Sequence, residues 1–103
     1  MDNHERIARV FFDIETVGIQ AGSGRITNRM LKRIERNRVI LDSMRNDDEL
    51  QPVVTRLLKV ISLYRDFAKA FNAGNAVDGK RISDEILTLI YECKAYAKRG
   101  DSF

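Results

Sequence analysis

Asp13 and Glu15, set in Phe12-Asp13-Ile14-Glu15-Thr16, form the pairing in this chain with the clearest chemical potential. Carboxylates two positions apart point to the same side of a strand, where they can share divalent metals that activate water and stabilise a leaving oxygen. On a helix the same two residues lie about 200° apart, and one metal cluster cannot be held by both. Local structure therefore decides between a metal site and two carboxylates on the polar side of a helix. The second candidate is a group of cations. From Arg25 to Arg38 there are six basic residues and one acid, Glu35, in a chain whose net charge is +3. On a helix Arg25, Arg29, Lys32 and Arg36 share one side over about three turns, with Arg33 beside them. Each phosphate that such a stripe neutralised would release counterions and add salt-dependent affinity.

With Gly18 close behind, the Phe12–Thr16 segment resembles the first motif of the DEDD family of 3′–5′ exonucleases, over seven residues. The resemblance implies a sheet-based domain in which Asp13 and Glu15 hold two metals. Asn75 to Asp78 is a faint echo of that family's second motif, and Asp101 would have to serve as the third. The family's late His or Tyr has no match, because His4 lies at the wrong end, and the neighbours of Asp13 follow a helical period.

Other catalytic arrangements are not supported. A single His gives no His-x-x-x-His or Glu-x-x-His zinc pattern. Cys93 falls inside an apolar stripe and reads as a small core residue. Gly22–Arg25 (GSGR) lacks the Gly-Lys-Ser/Thr ending that cradles a phosphate. The expectation is a non-enzyme with no cofactor and no metal.

Four helical stripes must position these residues. The first carries Ile7, Val10, Phe11, Ile14 and Val17, with Asn3 as a candidate N-cap and a stop near Gly18. The second, capped by Ser23 or Thr27, runs through the basic segment to about Arg45 with Met30, Ile34, Asn37, Leu41 and Met44 on its inner side. The third begins after Asp47 and Asp48, has Pro52 in its first turns, and repeats Leu50, Val54, Leu57, Ile61, Tyr64, Ala68 and Phe71 at intervals of four and three. Val53, Val60 and Phe67 widen that stripe, which places this helix at the centre with Leu57, Ile61 and Tyr64 in mid-core. The last, starting at Asp78 or Ser83 after a Gly74 cap, carries Ile82, Ile86, Leu89, Ile90, Cys93 and Ala97 and closes at Gly100. The fold class expected is all-α, one antiparallel four-helix bundle spanning residues 1–103.

Some large apolar residues fall outside these stripes. Phe12 and Ile19 lie on the far side of the first helix, Val39 and Ile40 near the polar side of the second, and Tyr91 off the last stripe. Misplaced apolar residues on adjacent helices suggest a contact surface for a second copy or a protein partner. Asn37 either fixes register in such an assembly or sits at the edge of its stripe. The apolar runs are too short to span a bilayer, the start does not read as a secretory signal, and the lone cysteine fits a reducing cytoplasm. The functional expectation is thus a self-associating, cytoplasmic protein-binding module, with nucleic-acid binding by the basic helix as the alternative.

Overall fold

The computed structural model describes residues 2–22 and 26–99, with side chains described for 2–19 and 26–95. Ser23, Gly24, Arg25, Gly100 and Asp101, all within segments named above, lie outside what is described, as does the side chain of Ala97. Four helices follow in order, α1 (Asn3–Gly22), α2 (Asn28–Asp42), α3 (Gln51–Asn72) and α4 (Ala76–Arg99), and the described residues contain no strand. None of these helices is long and apolar enough to cross a membrane, among the described residues.

Local chemistry sets the helix starts. Asp2, one residue before the expected Asn3, caps α1 by accepting the Glu5 N–H at 2.8 Å. Thr27 caps α2 by accepting the Met30 N–H at 3.2 Å. The α4 helix starts at Ala76, earlier than expected, because the Asn75 side chain accepts the Asp78 N–H at 3.1 Å. Gly74 has φ +70°, the left-handed conformation that lets α3 end and the chain reverse. Asp47 and Asp48 do not cap α3: Leu50 is its N-cap residue, and Asp47 accepts the Asn3 amide at 3.0 Å instead. The α2 helix stops at Asp42, and the Ser43 hydroxyl donates to the Ile40 carbonyl at 2.6 Å.

Polar ties along the helices fix their directions. Arg6 reaches Ser43 while Asp13 reaches Arg33, so α1 and α2 are antiparallel. Glu35 pairs with Arg65 and Arg38 with Ser62, which makes α2 and α3 antiparallel. Arg56 pairs with Glu92 at 2.7 Å and Lys59 with Glu85 at 3.2 Å, which does the same for α3 and α4. The result is an up-down-up-down bundle. Its core joins Ile7, Val10, Ile14 and Val17 of α1 to Ile34 and Leu41 of α2, Leu57, Val60 and Ile61 of α3, and Ile82, Ile86 and Cys93 of α4. The α3–α4 seam is by far the most extensive, and α1 touches α3 only lightly.

That light contact is made at Gly18, where α1 runs on instead of stopping. A Cβ at this position would collide with the Tyr64 hydroxyl oxygen, so only glycine lets the phenol rest against the helix backbone. Gly18 is a packing residue, and the glycine-rich run beginning there does not end the helix until Gly22.

Burial pushes the Cys93 thiol up from 9.0 to about 12, with Glu92 adding to the rise and Arg56 opposing it. Burial, helped by the nearby Glu15 carboxylate, raises the Tyr64 phenol from 10.0 to about 12. Both groups hold their protons more tightly folded than unfolded, so their contribution to stability is complete below pH 9 and is lost as pH rises towards 12. Urea midpoints should therefore fall on going from pH 8 to pH 10.5. Cys93 should react with a thiol reagent at pH 8 only as fast as the chain opens. Stoichiometric labelling of the native protein within seconds contradicts this placement.

Candidate interaction surfaces

Asp13 and Glu15 diverge, as helical geometry requires. Asp13 turns towards α2, where its Oδ1 accepts from Arg33 Nε at 2.5 Å and also meets Arg33 Nη2. Its Oδ2 accepts from Asn37 Nδ2 at 2.7 Å, and the same amide donates to the Arg33 carbonyl at 3.2 Å. Glu15 turns towards α4 and pairs with Lys94 at 2.8 Å. The two carboxylates thus brace α1 from opposite flanks. The sheet implied by the exonuclease resemblance is missing, and no group of three or more potential metal ligands occurs among the described residues. Asn37, 6% exposed, is satisfied within the chain by Asp13, which explains a polar residue in the inner stripe without an intermolecular partner.

A groove of about 400 Å³ opens where α1 and α4 fail to close over α3. Tyr64, Phe67, Ile86 and Ile90 line it together with Ile19, Leu87 and Tyr91, and the Glu15–Lys94 ion pair lies at its edge. Ile19, Leu87 and Tyr91 are 77%, 61% and 76% exposed, an unusual cluster of large apolar side chains beside a concave surface. Leu87 was not among the sequence candidates, because it falls next to a stripe position and only the thin α1–α4 contact leaves it bare.

Comparison with protein-family models, with curated proteins and with solved structures gave no match.

On the outer side of α1, Phe12 is 69% exposed and edges a hollow towards α2 with Ala8, Arg9, Asp13, Asn37 and Ile40. Ile40 and Val39, expected off the core together, part company here. Ile40 is only half-exposed and packs against the core, because α2 turns it towards α1. Val39 is exposed but lies about 100° round α2 from Ile40 and does not line this hollow. The proposed apolar surface thus runs from α1 towards α4, with Val39 outside it.

The basic helix keeps its charge on the outside. Arg29, Lys32 and Arg36 are exposed and have no acid within ion-pairing distance among the described residues. Arg33 differs from that group: it is half-buried and held by Asp13. Arg29, Arg33 and Arg36 nevertheless share one concave surface with Asp13, Met30 and Asn37. The sequence did not single out Arg9 of α1, which shares the adjoining hollow with Asp13 and Asn37 and also has no acid partner among the described residues. Its only signal was its place one turn before Asp13.

Proposed function

We propose that this chain is a small, non-catalytic protein-interaction module that self-associates through the apolar surface of α1 and α4. One observation carries the reading: an apolar ridge runs along the outer side of α1 from Phe12 to Ile19, and its Ile19 end rims an apolar groove walled by Leu87 and Tyr91. A two-fold dimer needs a self-complementary patch, and a ridge next to a groove lets each copy fill the other. The partner is thus a second copy, whose α1 enters the groove as an amphipathic helix enters a receptor cleft. A cytoplasmic setting, with its reducing thiol pool, suits a chain with one cysteine.

Sedimentation velocity from low micromolar to millimolar concentration tests this. The expected result is a concentration-dependent shift to dimer mass. Phe12→Asp and Leu87→Glu, both at exposed positions, should each raise the dimer dissociation constant about tenfold or more without loss of helicity. A chain that stays monomeric at millimolar concentration, or variants that keep the parental mass, overturns the proposal.

A further inference from the structure

We infer that the face shared by α1 and α2, carrying Arg9, Arg29, Lys32, Arg33 and Arg36, binds the phosphodiester backbone of a nucleic acid. The inference concerns the opposite flank of α1 from the groove and does not depend on self-association.

The distribution of ion pairs isolates this face. Elsewhere the described carboxylates are largely matched within the fold: Glu15 with Lys94, Glu35 with Arg38 and Arg65, Glu85 with Lys59, and Glu92 with Arg56. Of the acids that follow the basic helix in sequence, Glu49 lies 3.7 Å from His4 and Asp48 has no cation within ion-pairing distance among the described residues. Asp42 is paired with Arg45 at 2.7 Å, and Asp47 is taken up by Asn3. Of the described cations with no acid within ion-pairing distance, Arg9, Arg29, Lys32 and Arg36 gather on this side, while Arg6 and Lys69 stand apart from them. Four cations, Arg9, Arg29, Arg33 and Arg36, line the two adjoining hollows with one carboxylate, Asp13, a local excess of three positive charges, and exposed Lys32 stands beside Arg29 and Arg36 on α2.

The arrangement suits a linear polyanion. Arg29 to Arg36 spans seven residues of helix, about 10.5 Å of axial rise, with charges repeating every three to four residues. Four of the five cations are arginines, whose planar forks match paired phosphate oxygens. Asp13 holds the Arg33 guanidinium in place through Nε and Nη2, so little side-chain freedom remains to be lost there on binding. An anionic membrane is the weaker match. A helix lying on a bilayer buries its own apolar face in lipid, whereas Ile34 and Leu41 of α2 are already buried in the bundle core.

The test is anisotropy of labelled duplex DNA, duplex RNA and single strands titrated with the full chain at about 50 and 200 mM salt. Four phosphate contacts predict roughly a 150-fold loss of duplex affinity across that range. Arg29→Glu/Lys32→Glu/Arg36→Glu should abolish measurable binding with helicity intact. Arg9→Gln alone should lower the salt slope by about one. Lys69→Gln, an exposed cation on α3 away from this face, should leave affinity unchanged. Flat titrations overturn the inference. So does binding that Lys69→Gln weakens as much as Arg9→Gln, since that reports net charge alone. Binding to phosphatidylserine vesicles without binding to any nucleic acid overturns it in favour of a membrane surface.

Discussion

Leu57→Ala should destabilise the protein by about 3 kcal/mol, within the 2–5 kcal/mol range typical of fully buried leucines. Leu57 has no exposed surface and sits two turns into α3, the helix that meets all three others. Truncation there removes buried methyl groups and leaves a void that the surrounding helices can only partly close, because α3 and α4 are locked together by the Arg56–Glu92 and Lys59–Glu85 pairs. For a domain of this size such a loss lowers Tm by roughly 12–24 °C. Urea unfolding is the measurement, with the midpoint falling and the slope unchanged. Val77→Ala is the control: at an exposed site outside the groove it should move stability by no more than about 0.5 kcal/mol. A Leu57→Ala effect below about 1 kcal/mol contradicts a central α3.

The second large effect is a coupling between Gly18 and Tyr64. Helix propensity alone favours Gly18→Ala by about 1 kcal/mol. In this fold the new methyl meets the Tyr64 hydroxyl well inside contact distance, and the phenol belongs to a largely buried ring. Gly18→Ala should therefore destabilise, by about 1–2 kcal/mol, as over-packed sites do. Removing the hydroxyl removes the conflict, because the next nearest atom, Cζ, lies at an ordinary 3.7 Å. Against a Tyr64→Phe background the same alanine should become neutral or stabilising. A double-mutant cycle measures this, with an expected interaction energy of about 2 kcal/mol. Additive effects of the two changes place α1 further from α3 than described.

The fold class was legible because each helix writes its inner face into a period of three and four, and α3 announces its central place by the width of its stripe. Thr27 was legible as a cap for a local reason: its hydroxyl needs only the N–H three residues on. Gly18 was not, because its purpose lies in Tyr64, 46 positions away. A glycine that permits close approach and one that ends a helix look alike in sequence. Asn37 had two open readings for a similar reason, and only the position of Asp13 on the neighbouring helix decides between them. The basic stripe was visible, but its internal division was not: Arg33 is anchored while Arg29, Lys32 and Arg36 stay free of described acids, and Arg9 joins them from another helix.

Each helix leans chiefly on the one that follows it: α1 on α2, α2 on α3, α3 on α4. The only seam that would join the two ends of the chain, α1 against α4, is the thin one bridged by Glu15 and Lys94. No major pairing has to wait for a distant segment to arrive, so little loop-closure entropy opposes any step. A topology of this kind belongs with the rapid folders. During synthesis each new helix meets its partner already made, and α4, the last to emerge, completes the core at Cys93.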